Sequence, residues 1–311
     1  MNIDRTKAIK EKAESLGFSA IGFLAVRPFF EEREHLEEYL SKGWNADMDW
    51  IRKSNEQRLN PALHFRNARS IISLAINYFN EEWKPSGSEP HGRMSRYVYG
   101  GDYHAVIKSK LKEFAGFLKS EGAMLAAHYV DDGPVLEKKW ASLCGIGWRG
   151  KNSLIFNEEY GSWIFLSEII TDLIFNYTEE PLESRCGKCA VCMDACPTGA
   201  IEKPYMVNAS KCIAYWTIET DGIISDDMKS KIGSLVYGCD ICQEVCPQNK
   251  ITKTTEEPQF LPKKKILDLS LPDILHLDEQ IFQKIFKGSA LRHGGMKKLM
   301  RNASIALNNL D

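Results

Sequence analysis

The sequence predicts an α+β protein, with an N-terminal domain around a central sheet, a ferredoxin-like module and a short helical C-terminal segment. Three observations predict this order. Strand-like apolar runs alternate with helical segments up to about residue 177, eight cysteines lie between residues 186 and 246, and the pattern after residue 258 is helical. The predicted domains are therefore residues 1–177, 178–258 and 259–311.

The elements of the first domain follow from apolar runs and from the residues that begin or end them. Helices are predicted over residues 4–16 (capped by Asp4 and followed by Gly17), 29–43, 46–54, 104–120 and 134–144. Strands are predicted over residues 20–26, 70–78, 124–130, 153–157 and 161–173. The glycine and proline pattern indicates a turn at 58–61, a loop at 81–92, a functional loop at 93–104 and a glycine-rich loop at 145–152.

Composition limits the partners that the chain can have. With 43% hydrophobic and 26% charged residues, its 311 residues are typical of a soluble globular protein. A net charge of −2 excludes a global basic field, so any nucleic-acid surface has to be local. The N-terminus shows no export signal, and no apolar run approaches the roughly 18 residues of a membrane span. We expect a cytoplasmic protein with no membrane partner, and nine cysteines without a signal peptide point to metal ligation.

Two cysteine runs carry the strongest signal in the chain. The first is C-x2-C-x2-C-x3-C-P, the bacterial ferredoxin spacing, in which the fourth cysteine commonly ligates the other cluster of a pair. The second is C-x2-C-x3-C-P, and Cys212 supplies its missing thiolate. The predicted ligands are Cys186, Cys189, Cys192 and Cys246 for one 4Fe-4S cluster, and Cys196, Cys212, Cys239 and Cys242 for the other.

Three other interpretations of these cysteines remain. Disulfides suit small secreted domains, which this chain does not resemble in its N-terminus. Two zinc sites are possible, although C-x2-C-x2-C packs three thiolates more tightly than the usual zinc spacings. The cysteines could also be core hydrophobes, which is how we interpret the ninth, Cys144.

An acidic pair is the best candidate for chemistry in the first domain. Asp131 and Asp132 follow a predicted strand and precede Gly133-Pro134. A carboxyl group there can face a cleft and donate a proton near neutral pH. The alternative is a helix N-cap, a role that suits Asp132 better. Among the histidines, only His104 is a candidate ligand or acid. The first domain lacks a dinucleotide-binding fingerprint, and residues 145–150 follow a helix and lack the ending of a P-loop.

Several motifs resemble those of the tRNA epoxyqueuosine reductase family. They are V-D-x-x-P-V-L-E at 130–137, G-x-G-W-x-G-K-N at 145–152, G-S-W at 161–163, Y-G-C-D-x-C-Q-x-x-C-P at 237–247, and G-S-x-x-x-R at 288–292 with R-N-A at 301–303. The resemblance spans nearly the whole chain. It implies a cobalamin-binding domain related to corrinoid reductive dehalogenases, joined to the two-cluster module. It also implies that cobalamin and the clusters reduce epoxyqueuosine to queuosine in tRNA.

The resemblance also assigns roles to individual residues. It places the proton donor at Asp131 and implies corrin contacts at Arg58, Ser95, Asp131, Ile155, Leu166, Ala214, Tyr215 and Thr217. Some relatives have Cys where Ser95 stands, so no thiolate can contact cobalt from this position. Some members carry a C-terminal helical-repeat extension, and this chain stops before it.

The implied partners are the anticodon stem-loop of a tRNA with a GUN anticodon and an external electron donor, bound by a monomer. Splayed bases stack on aromatic rings, for which the candidates are Tyr97, Tyr99, Tyr103, Tyr215 and Trp216. Candidate phosphate contacts are Arg292, Lys297, Lys298 and Arg301. Core packing is the alternative for the aromatic residues, and a solvated helix face is the alternative for the cations.

Two other functions compete. A corrinoid reductive dehalogenase would share the corrin and the paired clusters, but such respiratory enzymes usually carry a twin-arginine signal, absent here. A ferredoxin-type electron carrier would need no first domain of this size. A carrier would bind no corrin, and a dehalogenase would act on a halogenated aromatic compound.

Overall fold

A computed structural model describes residues 2–81, 85–86, 88–177, 181–250 and 252–310. The strands are β1 (Ala20–Ala25), β2 (Ser70–Asn77), β3 (Arg93–Met94), β4 (Ala126–Tyr129), β5 (Trp148–Arg149), β6 (Ile155–Phe156), β7 (Ile164–Thr171), β8 (Ile201–Lys203), β9 (Met206–Val207) and β10 (Leu235–Tyr237). The helices are α1 (Asn2–Ser15), α2 (Phe30–Ser41), α3 (Asp49–Lys53), α4 (Asn55–Leu59), α5 (Tyr103–Ser120), α6 (Glu137–Leu143), α7 (Val191–Asp194), α8 (Ile213–Ile218), α9 (Asp226–Ile232), α10 (Ile241–Glu244), α11 (Lys264–Leu267), α12 (Leu271–Leu275), α13 (Glu279–Ile285), α14 (Leu291–Gly294) and α15 (Met296–Asn308).

A four-stranded antiparallel sheet in the order β1-β2-β7-β4 forms the centre of the first domain. Every residue of β2 is buried, because helices cover both faces of the sheet. One face packs against α1 and α5 through residues such as Ile72 and Phe114, and the other packs against α6 through Trp140 and Ile71. The predicted α+β fold with a central sheet is confirmed.

The longest helix, α5, begins and ends as its sequence predicts. The carboxylate of Asp102 accepts the backbone N–H of His104 at the first turn, an N-cap bond that satisfies one orphan donor. Buried Ile107, Leu111 and Leu118 recur at helical spacing and face the sheet. The N-terminus of α5 therefore lies at the edge of the site described below.

Three local predictions were wrong. The first helix, α1, begins at Asn2, so Asp4 lies inside it and not at its N-cap position. The helix expected from Pro134 begins at Glu137, so residues 131–136 form a loop. Neither Asp131 nor Asp132 caps it: Asp131 has a positive φ of 58°, and the carboxylate of Asp132 accepts the N–H of Val130 and pairs with Lys108. The predicted turn at 58–61 instead contains the end of α4 and the start of a 3-10 turn capped by Asn60.

The cysteine module and the C-terminal helices are joined to the first domain by backbone pairing. Strand β10 pairs in parallel with β3, which brings residues 93–104 against the cysteine module. The C-terminal helices α12 and α15 pack together, and α15 also contacts β10. Buried Asn302 donates to the carbonyls of Thr217 and Val236. None of the helices in the described part of the chain is long and apolar enough to cross a membrane.

Candidate active site and cysteine clusters

Asp131 lies where three cavities meet, in the loop between β4 and α6. The cavities have volumes of about 600, 550 and 200 Å³, and Asp131 lines each of them. Arg58 lines the first two, while Glu137 and Lys138 line the first and the third. A carboxyl group that lines three adjoining cavities can contact a large ligand.

The conformation of Asp131 is held by three neighbours. Its φ of 58° is unusual for a residue with a Cβ and costs on the order of 1–3 kcal/mol. Its backbone N–H donates to Glu137 Oε1 over 2.8 Å. On the side chain, the hydroxyl of Tyr103 donates to Oδ2 over 2.7 Å, and Nε2 of His104 lies 3.8 Å from the same oxygen.

A chain of polar groups leads from this carboxylate to the surface. His104 Nδ1 lies 3.0 Å from Asp102 Oδ1, and His293 Nε2 lies 3.1 Å from Asp102 Oδ2. The hydrogen bond from His104, together with that from His293, lowers the pKa of Asp102 to about 2 despite its partial burial. His104 also stacks on Tyr103, with ring centroids 4.0 Å apart.

Two carboxyl groups lie together behind Asp131. Glu168, in the middle of β7, is fully buried and forms a hydrogen bond with Glu137. Burial and the neighbouring carboxyl groups raise the pKa of both residues. Ser73 Oγ, on the adjacent β2, lies 3.4 Å from Glu168 Oε1.

Two cations lie in the same cavity walls. The Lys138 side chain is exposed to the cavities. Protein atoms nevertheless surround it on most sides, and the resulting loss of hydration lowers the pKa of its ammonium group. Its charge acts on Asp131, Glu137 and Cys242. Arg58 Nη1 donates to the carbonyl of Val135 over 3.1 Å, which ties α4 to the loop that carries Asp131.

The cysteines within each predicted set lie close together. Cys186, Cys189, Cys192 and Cys246 line one small cavity of about 30 Å³. In the second set, Cys239 lies close enough to Cys212 and Cys196 for their charges to raise its pKa. Burial raises the pKa of Cys242, and the charges of Cys239, Cys212 and Cys192 raise it further. The two sets therefore adjoin, because Cys192 belongs to the first and Cys242 to the second. The ligand assignment stays a prediction, with the grouping of the sulfurs in its favour.

Backbone amides face several of these sulfurs. The N–H groups of Ala214 and Tyr215 point at Cys212, and that of Ile241 points at Cys239. Burial nevertheless raises the pKa of Cys239 to about 12, so a cation has to offset the cost of its thiolate. The ninth cysteine, Cys144, is 2% exposed in the core between α6 and the sheet, as predicted for a small hydrophobe.

The predicted corrin-contacting residues separate into two groups. Arg58, Ile155 and Leu166 line the cavities around Asp131. Ser95, Ala214, Tyr215 and Thr217 line none of these three cavities. The buried hydroxyls of this second group bind inside the protein: Ser95 Oγ donates to Asp240, Tyr215 to Asp47, and Thr217 to the carbonyl of Ile213.

The predicted tRNA contacts also separate. Arg292 and Lys297 are exposed. Lys298 instead donates to the carbonyls of Ile218 and Glu219, and Arg301 donates to backbone carbonyls of residues 216, 220 and 222. These two side chains hold the loop after α8, a structural role that the spacing did not predict.

Most of the aromatic candidates are packing residues. Tyr99 and Tyr215 are 3% and 6% exposed, and the indole N–H of Trp216 donates to the carbonyl of Ser210. Tyr97 packs edge-on against Tyr103. Tyr103 alone among them meets Asp131 in one of its cavities.

Sequence reasoning assigned no role to Glu137, Lys138 or Glu168. A signal for Glu168 was present, because a single acidic residue stands in the apolar run I-F-L-S-E-I-I-T of β7. A charged residue in a buried strand requires a partner or a proton. The partner could not be deduced, since Glu137 lies on a different element.

Two protein families match parts of the chain. Residues 185–249 match the 4Fe-4S double cluster binding domain. Residues 58–132 match the family described as epoxyqueuosine reductase QueG, DUF1730. The first match covers all eight cysteines of the two sets, and the second runs from Arg58 through the acidic pair.

Relatives named epoxyqueuosine reductase match along nearly the whole chain. The epoxyqueuosine reductase of Cellulophaga algicola is 39% identical over 295 residues, which cover 94% of this chain and 95% of the relative. That of Escherichia coli is 36% identical over 305 residues, covering 97% of this chain and 80% of the relative.

Solved structures of epoxyqueuosine reductases superpose on nearly the whole chain. An epoxyqueuosine reductase with an epoxyqueuosine-modified tRNA-Tyr stem loop has a TM-score of 0.90 and 33% identity, covering 98% of this chain and 81% of that one. The Bacillus subtilis epoxyqueuosine reductase, with its catalytic aspartate loop swung out of the active site, has a TM-score of 0.88 and 32% identity, covering 98% and 82%. A catabolic reductive dehalogenase, 16% identical with a TM-score of 0.50, shares the fold.

Proposed function

The chain belongs to the epoxyqueuosine reductase family, and from that premise we propose that it deoxygenates epoxyqueuosine in tRNA at the cavities around Asp131. The observation that carries this proposal is the position of Asp131. Its carboxyl group lines all three cavities, and two of them share Lys138, whose charge interacts with Cys242 of the second cysteine set.

The reaction defines what the protein has to supply. Converting an epoxide to an alkene consumes two electrons and two protons and releases the oxygen as water. The oxygen leaves only when it is protonated, and Asp131 is placed to give this proton as a general acid. Such a group typically contributes about 10²–10⁴-fold to the rate. Tyr103, whose hydroxyl donates to Asp131 Oδ2, orients the carboxyl group.

The residues around Asp131 suit a cobalamin cofactor. The cavity of about 600 Å³ combines an aromatic wall with several cations. Two buried polar atoms in its lining residues, Arg149 Nε and Ser153 Oγ, have no hydrogen-bond partner within the described chain. Such atoms can form hydrogen bonds with the amide groups of a corrin. Arg58, Ile155 and Leu166 are further proposed contacts. When bound, cobalamin supplies a reduced cobalt centre for the two-electron step.

The position of the second cysteine set supports an electron route to these cavities. Cys242 of the second set is close enough to Lys138, in the cavity wall, for their charges to interact. The first set, with Cys192, adjoins Cys242. We propose that the 4Fe-4S cluster on Cys196, Cys212, Cys239 and Cys242 is nearer to the cofactor, and that the other cluster receives electrons from an external donor.

The substrate side of the proposal is a tRNA anticodon stem-loop with a GUN anticodon, bound in the cytoplasm by a monomer. A solved relative binds an epoxyqueuosine-modified stem loop, which supports this partner. Exposed Arg292 and Lys297 are the proposed phosphate contacts.

The deciding experiment is a complementation test. The chain is expressed in an Escherichia coli strain that lacks its own epoxyqueuosine reductase, and the tRNA nucleosides are analysed. Queuosine in place of accumulated epoxyqueuosine supports the proposal, and unchanged epoxyqueuosine contradicts it. In vitro, the anaerobically purified protein reconstituted with cobalamin is assayed on an epoxyqueuosine stem loop and on a halogenated aromatic compound. Turnover of the latter alone would favour a dehalogenase, and failure to bind cobalamin would favour an electron carrier.

A further inference from the structure

A buried acid in the central sheet needs an explanation. Glu168 is 0% exposed in β7. Its Oε1 has only the distant Ser73 Oγ, 3.4 Å away, and its Oε2 meets no N–H or O–H donor in the described parts of the chain. An ionised carboxylate in such a place costs several kcal/mol. The carboxyl group of Glu168 is therefore most stable with a proton of its own.

Glu137 is the neighbouring acid that can accept a hydrogen bond from the protonated carboxyl group of Glu168. Glu137, at the start of α6, forms a side-chain hydrogen bond with Glu168. Two buried carboxyl groups joined by a hydrogen bond need a proton between them, because ionising both would place two like charges side by side. Glu137 is engaged on its other side as well, because its Oε1 accepts the backbone N–H of Asp131 over 2.8 Å.

We propose that Glu137 and Glu168 share one proton, and that this pair positions Asp131 for catalysis. Glu168 fixes the carboxyl group of Glu137, and Glu137 fixes the backbone of Asp131 in its left-handed conformation. Both residues are positioning residues that act through Asp131. The proposal rests on the function proposed above, since it gives the pair a part in that reaction.

The backbone geometry shows why a positioning device is required. A non-glycine residue with a φ of 58° relaxes unless its surroundings hold it. Leu136, the N-cap residue of α6, makes no side-chain cap bond. A side-chain cap of α6 therefore does not fix the loop that carries Asp131. Without the bond to Glu137, the side chain of Asp131 would leave the hydroxyl of Tyr103.

Other charged and titratable groups face the pair and set its pH response. Arg58 and Lys138 favour negative charge on Glu137, whereas Asp131 opposes it on both acids. Tyr103 and Cys144 stay neutral, because burial raises the pKa of each. At alkaline pH the pair loses its shared proton, the carboxylates repel, and Asp131 is released.

The test compares two variants of the cobalamin-reconstituted enzyme. In Glu168→Gln, the amide N–H donates to Glu137 at every pH. In Glu168→Leu, no donor remains. We expect Glu168→Leu to lose about 10²-fold in the single-turnover rate, as for a misplaced catalytic group, with unchanged stem-loop affinity. Glu168→Gln should restore the rate and keep it at alkaline pH, where the wild-type rate falls. Equal rates in wild type and Glu168→Leu, or equal losses in both variants, would overturn the proposal.

Two further readouts need neither cobalamin nor tRNA. The wild-type protein should show the infrared band of a protonated buried carboxyl group at neutral pH, and Glu168→Gln should lack it. At alkaline pH, hydrogen exchange at the amide of Asp131 should be faster in wild type than in Glu168→Gln. Absence of both differences overturns the proposal, even if Glu168→Leu fails to fold.

A matched control separates the pair from general damage to the sheet. Thr171→Val removes another buried polar group from β7, three residues from Glu168 at the end of the strand and on the opposite face of the sheet. It should leave the infrared band and the exchange at Asp131 unchanged. If both readouts behave as expected while the wild type does not deoxygenate epoxyqueuosine, only the proposed function fails. If the wild type is active and the readouts are absent, only the pair fails.

Discussion

The hydroxyl of Tyr103 donates to Asp131 Oδ2 over 2.7 Å, and this bond joins the first turn of α5 to the loop after β4. Burial and the charge of Asp131 raise the pKa of the tyrosine, so it remains a neutral donor. The bond aims one oxygen of the carboxyl group at the cavities. Activity should therefore depend on Asp131 strongly and on Tyr103 moderately.

Replacing Asp131 by Asn should abolish most turnover. The amide retains the size of the side chain but cannot donate an acidic proton, so the single-turnover rate should fall by at least about 10²-fold. Iron content and cobalamin binding should not change. Asp132→Asn is the matched control, because that exposed side chain pairs with Lys108 and should tolerate the change. Full activity of Asp131→Asn would refute the assigned role.

Removing the Tyr103 hydroxyl should have a smaller effect. In Tyr103→Phe the ring still stacks against Phe165, with centroids 4.3 Å apart, while the bond to Asp131 is lost. Loss of about 1 kcal/mol of orientation corresponds to a rate reduction of roughly fivefold. The single-turnover rate measures it. A rate equal to that of the wild type would show that the hydroxyl does not orient Asp131.

The two cysteine sets should lose iron independently. Cys192→Ser and Cys242→Ser should each reduce the iron content from about eight to about four atoms per chain, since each disrupts one 4Fe-4S cluster. Cys144→Ala should retain both clusters, because Cys144 lies in the core of the first domain. Iron and sulfide analysis of anaerobically prepared protein checks this. Zinc in place of iron would disprove the assignment.

We expect mutagenesis to separate the four C-terminal cations into two that stabilise the fold and two that bind the stem-loop. Arg301→Ala removes hydrogen bonds to three backbone carbonyls and should lower the free energy of unfolding by about 1.5–3 kcal/mol. Lys297→Ala should leave stability unchanged but weaken stem-loop binding and reduce its salt dependence. Urea unfolding and binding at two salt concentrations separate the two effects. Unaltered stem-loop binding in Lys297→Ala would exclude it as a phosphate contact.

Stability should fall as the pH rises above about 4.5, the ordinary pKa of a glutamate, towards the raised pKa of the folded pair. The folded protein holds a proton on Glu137 and Glu168 that the unfolded chain loses above about pH 4.5, the ordinary value. Because the folded pKa is raised, this contribution is complete below the ordinary pKa and is lost as the pH rises through the folded pKa. The slope approaches about 1.4 kcal/mol per pH unit for one proton. Glu168→Gln should flatten this slope in urea unfolding, and an equal slope in both proteins would contradict the shared proton.

Local spacing determined the parts of this protein that depend on neighbours in sequence. C-x2-C loops bring neighbouring sulfurs together wherever the chain folds, so the closeness of the cysteines within each run was predictable, whereas the two sets of four stay a prediction. Strand and helix periods likewise predicted β2, β7 and α5, because apolar residues must face a core. The motif around Asp131 predicts an acid at this position but not its left-handed conformation.

Only the tertiary structure decided which distant groups meet. Glu168 and Glu137 lie on different elements, and their shared proton exists only because β7 and α6 pack together. The loop 131–136 replaces an expected helix start because long-range bonds hold Asp131 at a positive φ. Arg301 bonds to carbonyls that lie 79 to 85 residues away in sequence. Such contacts depend on the packing of whole elements, which no local pattern encodes.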